Sequence, residues 1–337
     1  LIVRKERQIP IEFIQDSIVD IWTGADARCE EVAGSTTNIW RSTLETIAHM
    51  GQGLIVILGG VDTGKSTLCM YLANNLIEQG HTVAVIDTDP GQSDIGPSGT
   101  IGLSIPDQPA VSLSSVKPRL LWFIGYTNPS SAAHKIMVGV KRLLQNVPSE
   151  IQYVLVNTDG WIEGYDAVNY KSELIQGLDP TYVIGLERSE ELNPLLDSLR
   201  LPHLRLRCSP FVRGRSRDER KALRESNYRV HLDHARVITL SPLDVDLRIP
   251  ILLLGRTLMP CELDNLARSL GGEVLYGKET ESSLNLIVRG TAYRPANITP
   301  NQNLGKAVSL FDFSTIKNSL VGLLDRNGFL LGIGILK

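Results

Sequence analysis

From residue 53 to about 207 the chain alternates short apolar runs with longer stretches of helical period. Leu54–Leu58, Thr82–Ile86, Leu120–Ile124, Tyr153–Val156, Tyr182–Ile184 and Leu204–Leu206 have strand length. Between them, helices are predicted over Lys65–Gln79, Ala132–Gln145, Ala167–Gln176 and Glu190–Leu199, with Gly80 where a C-terminal helix cap belongs. Strands that alternate with helices predict a parallel sheet covered on both faces. Residues 1–50 carry weak periodicity and read as an arm with a helix near Ile39–His49. After about 237 the texture changes: Val237–Leu240, Ile251–Leu254, Leu284–Val288, Val308–Phe311, Leu320–Leu324 and Phe329–Ile335 are punctuated by Gly, Pro and Asn. The expected organisation is therefore an arm (1–50), an α/β domain (51–236) and a smaller β-rich domain (237–337).

Composition adds bounds. With 42% hydrophobic and 21% charged residues in 337, the chain can build a sizeable core without disulfides or metals. No apolar run approaches the ~20 residues that span a bilayer, so no membrane is expected as a partner. No segment has signal-peptide form, and Cys29, Cys69, Cys208 and Cys261 are scattered without paired spacing, so a reducing cytoplasm is the expected location. His231 and His234 have no further ligands nearby, and Asn297-Ile298-Thr299 matches a glycosylation pattern by chance. The net charge of −3 argues against a nucleic-acid coat, but it is unevenly spread. Residues 205–236 hold ten Lys/Arg against four Asp/Glu, a net +6 that leaves −9 for the rest.

Gly59-Gly60-Val61-Asp62-Thr63-Gly64-Lys65-Ser66 matches G-x-x-x-x-G-K-[ST], follows an apolar strand and opens a helix. In that context the motif is a phosphate-binding loop. Backbone N–H groups of residues 60–67 (Gly60, Val61, Asp62, Thr63, Gly64, Lys65, Ser66, Thr67) would cradle nucleotide phosphates, aided by the helix N-terminus. Lys65 would reach the β- and γ-phosphates and the Ser66 hydroxyl would bind Mg²⁺. The next strand ends in Asp87-Thr88-Asp89-Pro90-Gly91-Gln92. Two carboxylates on one side of a strand end suit a metal ligand and a proton acceptor, although Asp before Pro-Gly is also turn chemistry. Two further strand ends carry Gly125-Tyr126-Thr127-Asn128-Pro129 and Asn157-Thr158-Asp159-Gly160-Trp161. Trp161 is either a core tryptophan or a platform for a nucleobase. Asn157-Thr158-Asp159 lacks the lysine of guanine-reading loops, so the choice between ATP, GTP and another NTP stays open.

In the basic segment, Ser216 and Glu219 form a capping box that predicts a helix from 217. Arg217, Arg220, Lys221 and Arg224 then share a face, with Arg213 and Arg215 just before it. A solvated face is the ordinary meaning of such a run. Beside a phosphate-binding loop, a lid that closes on the transferring phosphoryl group is the better match.

The chain resembles the polynucleotide 5′-hydroxyl kinases of RNA processing, a family that includes the messenger-RNA cleavage-factor kinase subunit and the pre-ribosomal-RNA kinase. The resemblance runs from about residue 35 to the C-terminus. It rests on G-G-V-D-T-G-K-S-T (59–67), D-T-D-P-G-Q-S-D-I-G (87–96), G-Y-T-N-P (125–129), N-T-D-G-W-I-E-G (157–164) and R-S-R-D-E-R-K-A-L-R (215–224), in family order. The Gln-Ser-Asp-Ile-Gly-Pro stretch is most similar to archaeal or bacterial members. The resemblance implies a P-loop NTPase fold with a mostly parallel sheet, and transfer of the γ-phosphoryl group of an NTP, with Mg²⁺, to the 5′-OH end of RNA or DNA. It implies that Lys65, Asp89, Arg215 and Arg220 are catalytic and that Ser66 and Asp87 serve the metal. Thr127 and Trp161 would hold the end of the strand, and Asn157, Gln92 and Arg224 complete the expected substrate side. The separate N-terminal β-domain of eukaryotic relatives is not expected, and Asp159 adds a negative charge to the tryptophan loop that is expected to alter substrate affinity. Competing expectations are a catalytically silent ATP-binding scaffold and a small-molecule P-loop kinase. A partition-type ATPase is disfavoured because Gly60 stands where those proteins carry an extra lysine.

Overall fold

The computed structural model describes residues 36–209, 212–240, 245–248, 254–290 and 306–337. The expected arm before residue 36, most of the run Ile251–Leu254 and Asn297-Ile298-Thr299 lie outside the described residues. The elements of the α/β part are α1 (Thr36–Met50), β1 (Gly53–Gly59), α2 (Lys65–Glu78), β2 (Val83–Asp87), β3 (Thr100–Ser104), β4 (Leu120–Phe123), α3 (Ala133–Leu144), β5 (Tyr153–Asn157), α4 (Tyr165–Leu178), β6 (Tyr182–Glu187), α5 (Asn193–Leu196), β7 (His203–Arg207) and α6 (Arg217–Leu232).

The strands form one seven-stranded sheet in the order β4-β3-β2-β5-β1-β6-β7. β1 and β2 each pair with β5 in parallel, as β6 does with β1 and β7. Because both faces are covered, the strands read as continuous apolar runs. Alternate residues of β1 feed opposite cores: Val56 and Leu58 pack with α3 and α4, and Ile55 and Ile57 pack with α1 and α2.

Two details differ from expectation. β3 was not anticipated; it is antiparallel to both β2 and β4. Its approach over residues 93–99 is dense in Gly, Ser and Pro and reads as loop, and its five residues are held by burial rather than by a strong local pattern. The two reversals cancel, so β4 runs parallel to β2 and its C-terminal end returns to the phosphate-loop edge. The helix expected over Glu190–Leu199 shrinks to α5, a single turn with Pro194 in its first positions. Its leucines, Leu192, Leu195 and Leu196, are buried all the same.

By contacts the chain divides into two compact units, and residues 322–333 belong to the first together with the chain up to Asp233. The second unit holds β8 (Arg256–Thr257), α7 (Pro260–Leu270), β9 (Glu273–Glu279), β10 (Ser283–Arg289) and β11 (Ala307–Asp312). Its sheet has the order β11-β10-β9-β8, antiparallel except for β10 with β11. α7 was not expected in a β-rich region. Leu263, Leu266, Ala267 and Leu270 place one apolar stripe on the sheet core, and Gly271 ends the helix at φ 71°. The run Val237–Leu240 forms no strand; Val237 and Ile238 are exposed. β12 (Leu320–Leu324) pairs with β13 (Leu330–Ile335) in a small separate sheet. Among the described residues no helix is long and apolar enough to cross a membrane.

Candidate active site

Four strand ends converge on the carboxyl edge of the sheet: β1, β2, β4 and β5. Two glycines let their loops touch. A Cβ on Gly160 would lie 2.6 Å from the Val61 side chain, and one on Gly91 would lie 2.6 Å from the Thr127 carbonyl oxygen. The tryptophan loop therefore rests on the phosphate loop, and the Thr127 loop rests on the Asp89 turn. Only glycine permits either approach.

Within the phosphate loop, Lys65 Nζ donates to the Gly60 carbonyl at 2.6 Å, and the Thr63 hydroxyl donates to the same oxygen at 3.0 Å. Burial lowers the Lys65 pKa to about 8, against the opposing pull of Asp89. Asp62 adopts φ 54°, a left-handed conformation that aspartate tolerates better than most residues.

Asp87 ends β2 in full burial. Its carboxylate accepts from Asn157 Nδ2 at 3.0 Å and from the Asp94 amide at 2.7 Å. Burial, then Asp94 and Asp89, push its pKa up to about 8. Asn157 Nδ2 also donates to Ser66 Oγ at 3.2 Å, while Asn157 Oδ1 is buried and has no partner among the described residues. Asp89 Oδ1 accepts from the amides of Gly91 and Gln92 at 2.8 and 3.0 Å, so the turn chemistry expected of Asp-Pro-Gly is present. Burial raises the Asp89 pKa, with Asp159 adding to the effect and Lys65 opposing it.

The basic segment begins α6 at the expected residue. Ser216 Oγ accepts from the Glu219 amide at 3.1 Å and Glu219 caps the Ser216 amide in return. The arginines do not act as one face. Asp62 is the centre: its Oδ2 accepts from the Arg215 amide at 2.8 Å and from Arg220 Nη1 at 3.3 Å, and its Oδ1 lies 3.5 Å from Arg215 Nη1. Arg215 Nη1 also donates to Gln92 Oε1 at 2.8 Å, and Arg220 Nη1 to the Arg215 carbonyl at 2.6 Å. Arg213 pairs with Glu219 and Lys221 with Glu225, both at the surface. Arg224 stands near Tyr228, and among the described residues no polar contact joins it to the phosphate loop.

Several contributors escaped the sequence reading. Asn227 pins α6 to the loop after Asp89: its Oδ1 accepts from the Ser98 amide at 2.8 Å and its Nδ2 donates to the Gly96 carbonyl at 3.2 Å. Asn227→Ala is expected to lower stability by about 1–2 kcal/mol and to speed hydrogen exchange at the Ser98 amide. Unchanged Ser98 protection would show that the pin is not made in solution. Arg188, at the end of β6, donates to the Asp62 carbonyl at 2.5 Å.

The charge that Asp159 adds to the tryptophan loop is paired inside the protein. Asp159 Oδ2 lies 2.7 Å from Lys171 Nζ, and both side chains are fully buried. Asp159 also accepts from Tyr170 Oη at 2.9 Å and from the Trp161 amide at 3.0 Å. Tyr170 stacks on Trp161 with ring centres 5.7 Å apart at 24°. Lys171 had a signal in the sequence: it falls within the α4 stripe Ala167, Tyr170, Leu174, Ile175 and Leu178, where a lone lysine needs a buried partner. Thr127 is exposed on its loop, which meets the Asp89 turn.

Comparison with known proteins agrees with this architecture. The family model described as "mRNA cleavage and polyadenylation factor CLP1 P-loop" matches residues 59–233. A polyribonucleotide 5′-hydroxyl-kinase of Pyrococcus furiosus is 34% identical over 84% of this chain and 78% of its own length. The protein of the same name from Methanocaldococcus jannaschii is 29% identical over 84% of this chain and 77% of its own. Among solved structures, a chain of the wild-type Clp1p–Pcf11p complex superposes with a TM-score of 0.53 at 12% identity, covering 88% of this chain and 71% of that one. That likeness concerns the fold alone.

Proposed function

We propose, since this chain belongs to the CLP1 P-loop family, that it is a polynucleotide 5′-hydroxyl kinase, which moves the γ-phosphoryl group of an NTP to the 5′-OH end of a nucleic acid. RNA is the first choice of acceptor because the archaeal relatives are named polyribonucleotide kinases; DNA is the alternative. One observation carries the reading: Lys65, Asp89, Arg215 and Arg220 meet at one sheet edge, with Asp62 tying both arginines to the phosphate loop. A purely nucleotide-binding scaffold would not need Asp89 or the paired arginines. A cytoplasmic setting suits such an enzyme.

In this reading the backbone amides of residues 60–67 cradle the nucleotide phosphates and Lys65 leaves the Gly60 carbonyl to meet them. Asp89 takes the proton of the attacking 5′-hydroxyl as its oxygen bonds to the γ-phosphorus and the bond to the leaving NDP breaks. Arg215 and Arg220 stabilise the charge that spreads over the transferring group. Thr127 and Trp161 position the end of the strand, with Gln92 and Asn157 bordering the acceptor, and positioning is the larger part of catalysis in such a transfer.

The residues fit a Mg²⁺ ion. Ser66 Oγ and the Asp87 carboxylate, both contacted by Asn157 Nδ2, are hard oxygens of the kind that bind Mg²⁺ partly through water. Bound there, the ion would supply positive charge that offsets the charge of the phosphates.

The test offers γ-labelled ATP, GTP, CTP and UTP with single-stranded RNA and DNA bearing either 5′-OH or 5′-phosphate ends. Label is expected on 5′-OH strands only. A free nucleoside labelled as fast as an oligonucleotide would favour a small-molecule kinase. Trp161→Ala is expected to raise the oligonucleotide KM by about tenfold with the ATP KM unchanged; an unaltered oligonucleotide KM would remove Trp161 from the acceptor site.

A further inference from the structure

Beside Trp161 lies a cleft of about 490 Å³. Trp161, Tyr170 and Met137 supply much of its apolar lining, and Asp166, Asn169 and Glu173 much of its polar lining. The three polar residues stand at i, i+3 and i+7 on α4, so they share one face of the helix. All three are exposed, and among the described residues none is hydrogen-bonded or ion-paired. Tyr170, on the same side of α4, and Lys171, further round the helix, bond to Asp159, and these bonds fix the ring that backs Trp161. The aromatic wall is thus held in place before any ligand arrives, and Gly160 docks the same loop on Val61 of the phosphate loop.

The chemistry of this lining selects its occupant. Two free carboxylates disfavour a phosphodiester, so the group that enters is not backbone. Ionised carboxylates only accept hydrogen bonds, so the group must present donors. A flat aromatic wall suits a planar ring. We propose that Asp166 and Glu173, which line the cleft beside Trp161, select among 5′-terminal bases and favour those with an exocyclic amino group (cytosine, adenine, guanine) over uracil. The inference rests on the kinase reading above and adds a base preference to it. Cytosine offers its 4-amino group where uracil offers a carbonyl oxygen, which a carboxylate repels. Asn169, which can donate or accept, does not discriminate.

The experiment uses two 5′-OH RNA tetranucleotides that differ only in a first residue of C or U. Equilibrium binding and kcat/KM are measured for the wild type, Asp166→Asn, Glu173→Gln and the double variant. The wild type is expected to favour the C end by about tenfold in both measurements. In the double variant the two ends are expected to fall within about twofold, because each amide offers a donor to uracil O4. Thermal unfolding controls for the fold, which exposed acid-to-amide changes on a helix should leave intact. Equal handling of C and U by the wild type overturns the proposal. So does a preference that survives in the double variant, or a cleft occupied by a divalent cation or a cationic peptide in place of the base. Failure of the kinase reading looks different: both strands bind and neither is phosphorylated, while the binding ratio still reports on the base preference.

Discussion

Arg220→Ala is expected to lower kcat by roughly 10³-fold or more, with the ATP dissociation constant changed by less than about threefold. The reason is where its guanidinium sits. Arg220 reaches Asp62, inside the phosphate loop, and the Arg215 carbonyl, so it is held within a side chain's length of where a γ-phosphate would lie. The Asp62 carboxylate, 8% exposed, keeps both arginines in place while no anion competes for them. A transferring phosphoryl group carries more charge than one carboxylate and would draw the guanidinium groups to itself. The loss should therefore appear in the chemical step, measured by single-turnover transfer from saturating ATP. An equal loss in nucleotide affinity would make Arg220 a ground-state binding residue. Arg224, which has no polar link to the phosphate loop among the described residues, is expected to show a much smaller effect on replacement.

Lys171→Met carries the largest expected loss of stability, about 3–5 kcal/mol. The substitution keeps an unbranched side chain one atom shorter but leaves the Asp159 carboxylate buried without its counter-ion. Tyr170 Oη and the Trp161 amide would remain as its partners, which is too little for a charge in full burial. Adding Asp159→Asn in the same chain should recover part of the loss, since the unpaired charge is then gone. Denaturant midpoints of the two single variants and the double variant measure the coupling. A Lys171→Met cost below 1 kcal/mol would mean that Asp159 is not charged in the folded protein. The same variants should weaken oligonucleotide binding more than ATP binding, because the pair sets the Trp161–Tyr170 stack.

The sequence made the chemistry of this site more legible than its support. Lys65, Ser66, Asp87 and Asp89 are readable because phosphate loops and strand-end carboxylates need particular residues at fixed spacing. β3 was hidden because its ladder is long-range: Thr100–Ser104 has little local signal, and its place between β2 and β4 is set by pairing. α7 had a helical stripe in plain view, masked by the surrounding Gly, Pro and Asn. Helix α6 begins where its capping box places it, but the direction of each arginine is not local information. Of the basic segment's arginines among the described residues, Arg215 and Arg220 turn to the Asp62 carboxylate, 153 and 158 residues earlier in the chain. Asn227 likewise acts across 129 residues on Ser98, and nothing near either one marks the contact. Asp159 shows the same limit in electrostatic form. Its charge was visible, and its neutralising partner was visible as an odd lysine on an apolar stripe, but only the fold joins them.

The central claim is that this edge of the sheet transfers a phosphoryl group to a 5′-hydroxyl, with Asp89 receiving the proton. The most direct measurement incubates wild type and Asp89→Asn with γ-labelled ATP and a 5′-OH RNA, then digests the RNA to nucleotides. The account predicts labelled 5′-terminal nucleotide from the wild type, and little or none from Asp89→Asn although that variant binds both ATP and RNA. Absence of label from a wild type that binds both ligands, or full transfer by Asp89→Asn, would contradict it.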